Sequence, residues 1–304
     1  MLLRRTASCA FAVAAISFAA RAAHAISVDG KLDAGYTQLS VQTTKTSPGP
    51  DATTGQPDFS VGSELDGAWA AVDQGMLYLF FAGNLMDTVC GFQACTQADA
   101  LEIFIDSQPG GQNQLLGDSP AGFPLAGLTF DSGFVPDYFL EFFAAGALDH
   151  AFTRNAYYGS LPTGGGGSAI YLGSGTNPGA PATLSGGTNP YGILATIDNE
   201  NTAGVSAGCR PASGAGVTTG VELAIPLAAI GNPAGCFTVS AFILEPPYAV
   251  TNQAAGPLPP GTCFLGPAAG VNFASIPGDQ FLTVCPAATS ARRATWGRLK
   301  AIYR

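Results

Sequence analysis

Residues 77–106 read LYLFFAGNLMDTVCGFQACTQADALEIFID, two apolar runs separated by a polar loop that contains two cysteines. Short apolar runs bounded by polar residues are typical of β-strands. Both faces of the first run, LYLFFAGNL, are apolar, which predicts a strand that is covered on both sides. We expect the two runs to form a long-looped hairpin at the centre of an antiparallel sheet.

The second run, ALEIFID, alternates more clearly. Its odd-numbered residues are aliphatic, whereas Glu102, Phe104 and Asp106 share the opposite face. Two interpretations of that face remain open at this point. One is a solvated outer face, which is favoured because Asp and Glu are rarely buried. The other is an edge that binds a ligand or a cation.

Similar runs recur along the chain. LDGAWAAVDQGMLYLFF predicts strand, turn and strand, with the turn at Asp73–Gly75 because glycine adopts positive φ readily. VELAIPLAAIG predicts a strand that ends at Pro226, then a helical turn to Gly231. CFTVSAFILE predicts a core strand and FLTVC a closing strand. Short strands between Gly/Pro-rich turns predict an all-β fold, an antiparallel, jelly-roll-like β-sandwich with long Gly/Pro-rich loops.

The composition divides the chain into three parts. Residues 1–25 combine an early arginine pair, a short apolar run and the small-residue sequence Ala-His-Ala, and they predict a signal peptide. Residues 26–287 are expected to form one β-sandwich domain, with a flexible low-complexity insertion at 159–190. Residues 288–304 predict a basic amphipathic tail that either contacts an anionic surface or forms a frayed or docked terminus. No later stretch is long and apolar enough to predict a transmembrane helix.

The charge is strongly acidic. Residues 26–291 contain 21 acidic and four basic residues, a net charge of −17. This balance argues against a nucleic-acid partner, because phosphate binding needs clustered Lys and Arg. It leaves two alternatives, an acidic surface that keeps an exported protein soluble and a set of carboxylates that binds Ca²⁺.

Cysteine usage agrees with export to the periplasm, the cell surface or the extracellular space. Six cysteines follow residue 25, and an even number in an exported chain predicts disulfides. They are Cys90, Cys95, Cys209, Cys236, Cys263 and Cys285. Fifteen connectivities are formally open. Proximity along the chain favours Cys90–Cys95, Cys209–Cys236 and Cys263–Cys285.

Five segments together resemble the family nine carbohydrate-binding modules and their DOMON-like relatives. In order they read DGKLD, AWAAVDQGMLYLFFAGN, DALEIFIDS, TGVELAIPLAAIG and CFTVSAFILE. The residues on the pattern are Asp29, Gly30, Asp73, Leu77, Tyr78, Asp99, Glu102, Asp106, Glu222, Ile225 and Pro226. The resemblance implies a jelly-roll-like sandwich without a particular ligand. Those modules commonly hold sugar between tryptophans, whereas after residue 25 this chain has only Trp69, expected in the core, and Trp296.

Other residues are therefore the candidates for ligand and metal binding. Aromatic surface for stacking on a sugar is expected from Tyr157, Tyr158, Tyr171 and Tyr191, with Glu102 as a polar partner. Oxygen donors for Ca²⁺ are Asp106, Asn113 and Asp118, around a Gly-Gly turn. Their spacing does not match an EF-hand, and an ordinary turn is the alternative.

Three functions follow in order of preference. The first is an exported, non-catalytic module that binds carbohydrate or extracellular matrix. The second is a cell-surface structural protein attached through its tail. The third is a polysaccharide hydrolase that uses Glu102 or Glu141. The only histidine after residue 25 is His150, and acidic pairs such as Glu102 with Asp106 or Glu141 with Glu222 arise easily by chance. We therefore assign no catalytic residue.

Overall fold

The computed structural model describes residues 26–44, 63–85, 90–91, 94–95, 99–119, 125–146, 152–177, 182–201, 210–245 and 248–286. The predicted signal peptide, the predicted tail, His150 and Cys209 lie outside these residues. Within them the chain is an all-β sandwich of two antiparallel sheets, as the sequence predicts.

The five-stranded sheet has the spatial order β1 (Thr37–Val41), β2 (Glu64–Asp73), β3 (Met76–Asn84), β12 (Gly220–Pro226) and β11 (Leu194–Ile197). The nine-stranded sheet has the order β10 (Ser185–Gly186), β9 (Ser168–Asn177), β8 (Phe152–Ser160), β7 (Tyr138–Gly146), β6 (Ala100–Asp106), β13 (Phe237–Glu245), β14 (Ala249–Ala254) and β15 (Gly266–Pro267), and β16 (Leu282–Val284) also pairs with β13. A two-stranded ladder joins β4 (Cys90–Gly91) and β5 (Ala94–Cys95). Short 3₁₀ turns occupy Leu227–Ile230, Ala268–Gly270 and Phe273–Ser275.

The predicted hairpin between the first two apolar runs is wrong. The runs form β3 and β6, and these strands lie in different sheets: β3 pairs with β2 and β12, whereas β6 pairs with β7 and β13. Side chains of both strands enter one buried cluster between the sheets, among them Leu79, Phe81 and Ile103. The two runs therefore bury their apolar faces across the sandwich and not side by side.

The local turns follow the sequence. β2 and β3 form a hairpin through Gln74 and Gly75, whose φ values are 49° and 82°. β12 ends at Pro226, and the 3₁₀ turn that follows ends at Gly231 with φ 75°. Trp69 is buried as expected, but it packs on Phe80 at the outer face of the five-stranded sheet.

The outer face of β6 is not solvated, so the favoured interpretation of that face is wrong. Glu102 is 3% exposed and Phe104 is fully buried. Described residues between 115 and 134 and between 258 and 273 pack over this face and form a second apolar cluster. Phe104 lies in it, with its ring centroid 4.7 Å from that of Phe130. Alternation along a strand reveals its two faces, but it does not reveal which loop covers the outer one.

The segment 159–190, predicted as a flexible insertion, contains the ten-residue strand β9, which pairs with β8 along its length. Its glycines allow close approach: a Cβ at Gly175 would lie 2.5 Å from Nη2 of Arg154. The Arg154 guanidinium is buried and donates to the carbonyls of Thr176 and Ala195. Part of the low-complexity segment is therefore a strand of the sheet, in which Gly175 makes room for the Arg154 guanidinium.

Two of the three predicted disulfides are wrong. Cys236 forms a disulfide with Cys285, which is 49 residues away in sequence. Proximity along the chain instead favours Cys209 for Cys236 and Cys263 for Cys285. The register of β13 with β16 pairs Phe237 with Val284 and so brings the two cysteines together. Cys263 is also disulfide-bonded.

The third predicted disulfide, Cys90–Cys95, stays a prediction. The two residues are Cα partners in the ladder of β4 and β5, which suits that pairing.

A buried carboxylate pins the start of the described chain to the five-stranded sheet. Glu222 accepts hydrogen bonds through Oε2 from the backbone N–H groups of Asp29 and Gly30, both at 2.8 Å, and through Oε1 from the Tyr36 hydroxyl at 2.7 Å. Burial raises the pKa of Glu222 to about 7, although the three hydrogen bonds act in the opposite direction. This contact holds the segment that covers Phe80.

We expect the change Glu222→Gln to lower the free energy of unfolding by about 2 kcal/mol, because an amide nitrogen would replace one acceptor oxygen and leave buried donors unpaired. Urea unfolding at pH 8, above the raised pKa of Glu222, measures the effect. The exposed Glu200→Gln is the control and should unfold as the wild type does. Equal stability of all three proteins would contradict the structural role of Glu222.

Removal of the Cys236–Cys285 bond should cost about 2–4 kcal/mol, because the bond closes a long loop in the unfolded chain. Cys236→Ser and the double variant Cys236→Ser/Cys285→Ser should lose the same amount in urea unfolding. Peptide mapping under non-reducing conditions should recover a Cys236–Cys285 peptide, and a Cys263–Cys285 peptide would contradict the assignment.

Candidate functional site

The strand register aligns polar and aromatic side chains in one row across the nine-stranded sheet. Glu102 of β6 is opposite Glu141 of β7, Glu141 is opposite Tyr157 of β8, and Tyr157 is opposite Tyr171 of β9. Directly opposite residues point to the same side of a sheet. We call these four residues the carboxyl–tyrosine row. On the other side of Glu102 the register continues to Phe242 of β13, which lies in the second apolar cluster.

Glu102 and Glu141, which we call the carboxyl pair, lie where the second apolar cluster stops covering the outer face of the nine-stranded sheet. Glu102 is buried, and Glu141, Tyr157 and Tyr171 are half-buried. No hydrogen bond within the described part of the chain reaches the Glu102 carboxyl group. The fully buried side-chain atoms without a hydrogen-bond partner in the described residues belong to Asn84, Asp99 and Gln280, and not to Glu102. The Glu102 carboxyl group therefore keeps an edge that water or a ligand can reach.

The two glutamates influence each other's ionisation. Burial raises the pKa of Glu102 well above its usual range, and the charge of Glu141 raises it further. Burial also raises the pKa of Glu141. Like charges on directly opposite residues repel each other, so simultaneous ionisation of both glutamates is unfavourable.

Three aromatic rings adjoin the pair and form a continuous platform. The Tyr157 ring is nearly parallel to that of Phe143, with centroids 6.3 Å apart and an interplanar angle of 16°. Its centroid is 5.1 Å from that of Tyr171, at an angle of 45°. The Tyr171 hydroxyl donates to Oδ1 of Asn155 at 2.9 Å, which fixes that ring. Burial raises the pKa of Tyr157, and so does the charge of Glu141.

The structure brings together three of the five predicted ligand residues, namely Glu102, Tyr157 and Tyr171. The other two lie elsewhere. Tyr158 points to the opposite face of β8, is buried in the core, and donates its hydroxyl to the carbonyl of Ala229. Tyr191 is 42% exposed, and its ring meets that of Tyr158 edge-on.

Neither of the two acidic pairs considered from sequence is the pair that the strand register forms. Glu141 and Glu222 lie in different sheets, and Glu102 and Asp106 lie on one strand, four residues apart. The signal that could have paired Glu102 with Glu141 is the run YFLEFFA, in which Glu141 lies between Phe139 and Phe143 as Glu102 lies before Phe104. Both runs place a glutamate next to a phenylalanine on the same face of its strand.

The predicted calcium ligands each contact a different part of the fold. Asp106 accepts the backbone N–H of Val135 at 2.9 Å. Asn113 donates from Nδ2 to three carbonyls between residues 130 and 134. Asp118 lies against the glycine turn between β8 and β9. Across the described ranges, no group of three or more His, Cys, Asp or Glu side chains is suited to hold a metal ion.

Comparisons with known protein families, with curated proteins and with solved structures found no match for this chain. The resemblance to family nine modules and DOMON-like domains therefore stays a prediction. Among its residues, Asp29 and Gly30 contact Glu222 directly. In the parts of the chain that are described, no helix has the length and hydropathy needed to cross a membrane.

The carboxyl pair should make stability fall as the pH rises. The pKa of Glu102 is higher in the folded chain than its ordinary value of 4.5, so the folded state binds more protons above that pH and the unfolding free energy decreases. Glu102→Gln should weaken this dependence and gain about 1–3 kcal/mol at pH 8, where the native pair is forced to ionise.

Urea unfolding at pH 5 and pH 8 measures the effect. In Glu102→Gln the unfolding free energy should still depend partly on pH, because burial also raises the pKa values of Asp99 and Glu222 to about 7. Glu200→Gln is the matched control. An unchanged difference between pH 5 and pH 8 in Glu102→Gln would contradict the role of the pair.

Proposed function

We propose that this chain is an exported, non-catalytic β-sandwich module that binds carbohydrate on the outer face of the nine-stranded sheet. The observation that carries the proposal is the continuity of three aromatic rings with a carboxyl pair on one sheet face. Sugar rings have apolar C–H faces that stack on aromatic rings, and their hydroxyl groups bond to carboxyl groups. In this proposal Tyr157 and Tyr171 stack on the sugar, and Glu141 bonds to its hydroxyls.

Charge and cysteine chemistry support this assignment. A body with a net charge of −17 is poorly suited to nucleic acid or to polyanions. Disulfides persist in oxidising compartments, which supports an exported location in the periplasm, at the cell surface or outside the cell.

The proposal predicts that Tyr157→Ala and Tyr171→Ala each weaken glycan binding about fivefold or more, because stacking on an aromatic ring contributes about 1 kcal/mol or more per ring. A glycan array identifies a ligand, and isothermal titration calorimetry then measures its affinity for each variant. Tyr191→Ala is the control, since that ring lies outside the row. Equal losses in all three variants, or none, would contradict the proposed face.

One observation favours a second candidate, hydrolysis of a polysaccharide, because two carboxyl groups on adjacent strands beside an aromatic platform are what glycoside hydrolysis uses. An assay for newly formed reducing ends distinguishes the two. Turnover that is lost in both Glu102→Gln and Glu141→Gln would favour the hydrolase.

A further inference from the structure

The buried carboxyl pair carries an inference about the chemical class of the ligand, and it rests on the proposed carbohydrate function. We propose that Glu102 and Glu141 recognise a positively charged group, and that the ligand is an amine-bearing sugar polymer, of which oligomers of glucosamine are the simplest example. In this arrangement the ammonium group lies at the carboxyl pair while its sugar ring stacks on Tyr157.

The first argument is the unmet bonding capacity of the pair. Glu102 is 3% exposed and makes no hydrogen bond within the described residues. An ammonium group has three donors and no acceptor, so it can bond to both carboxyl groups at once. It also supplies the opposite charge that removes the repulsion between Glu102 and Glu141. A neutral hydroxyl provides one donor and no charge.

The second argument comes from the aromatic rings. Phe143, Tyr157 and Tyr171 lie in one contiguous group beside Glu141. The faces of aromatic rings attract cations, and the attraction grows where water is excluded. The platform that stacks on a sugar ring therefore also favours a positive charge at its edge. A carboxylate bordered by aromatic rings is suited to a cation and poorly suited to an anion.

The third argument is the surrounding charge. The groups that face the pair along the row are Phe242 from β13, Tyr157 from β8 and Tyr171 from β9, none of them basic. Arg154 is on the opposite face of β8, where it bonds to backbone carbonyls. With a net charge of −17 on residues 26–291, the body attracts cationic polymers and repels anionic ones.

The raised pKa of Glu102 makes binding depend on pH. An ammonium group favours the ionised form of both carboxyl groups, so its binding lowers that pKa, and a proton that Glu102 loses passes to the solvent. Affinity should therefore rise with pH above 5 and decline once the sugar amine itself loses its charge. A neutral oligomer would displace no proton and would bind with little dependence on pH.

The test is calorimetric titration of the purified full chain with three β-1,4-linked hexasaccharides, of glucosamine, N-acetylglucosamine and glucose. We expect the glucosamine oligomer to bind at least tenfold more tightly at pH 6 and to release protons in buffers of different ionisation enthalpy. Glu141→Gln should abolish this preference while it retains weak binding of the neutral oligomers. Tyr191→Ala should keep the wild-type preference.

The outcomes separate this inference from the proposed function. Equal or tighter binding of the neutral oligomers would overturn the cationic ligand and leave the carbohydrate module standing. Absence of binding by every oligomer and by a glycan array would overturn both. If Glu141→Gln shows no urea unfolding transition and so fails to fold, Glu102→Gln replaces it in the titrations. A folded Glu102→Gln variant that still prefers the glucosamine oligomer would overturn the inference.

Discussion

The sandwich depends on the burial of two strands against each other across its centre. β3 and β6 are separated in sequence by residues 85–99, yet each is an inner strand of its own sheet. Their inward aliphatic and aromatic side chains meet in the largest buried cluster, which Leu223 of β12 and Ile243 of β13 also enter. Burial of this apolar area is the main favourable contribution to folding, and the strand order of both sheets is arranged around it.

Part of each outer face is covered as well, and each covered part contains a buried glutamate. Glu222 receives three hydrogen bonds and holds the first described segment over the five-stranded sheet. Glu102, on the nine-stranded sheet, receives none within the described residues, and faces Glu141. A carboxylate that accepts hydrogen bonds from another segment, as Glu222 does, holds the two segments together. Glu102, which makes no hydrogen bond within the described residues and adjoins half-buried tyrosines, is where we place the proposed binding site.

Part of this organisation follows from local sequence. The hairpin at Gly75, the end of β12 at Pro226 and the turn at Gly231 are set by residues a few positions apart, and they match the prediction. The predictions that failed all concerned contacts between distant segments. The disulfide of Cys236 follows the register of β13 with β16, and low complexity in 159–190 concealed a strand that packs on Arg154.

The sequence by itself determined the all-β class, the local turns and two of the tyrosines in the proposed site, because alternation and turn residues act over a few positions. Only the tertiary structure decided which strands share a sheet, which cysteines bond and which carboxyl groups meet. Glu102 and Glu141 are opposite because β6 and β7 pair in one register, and a shift of one residue would turn one of them to the opposite face. That register depends on the packing of both faces of the nine-stranded sheet. The residues that pack on those faces come from distant segments, so no short stretch of sequence determines the register.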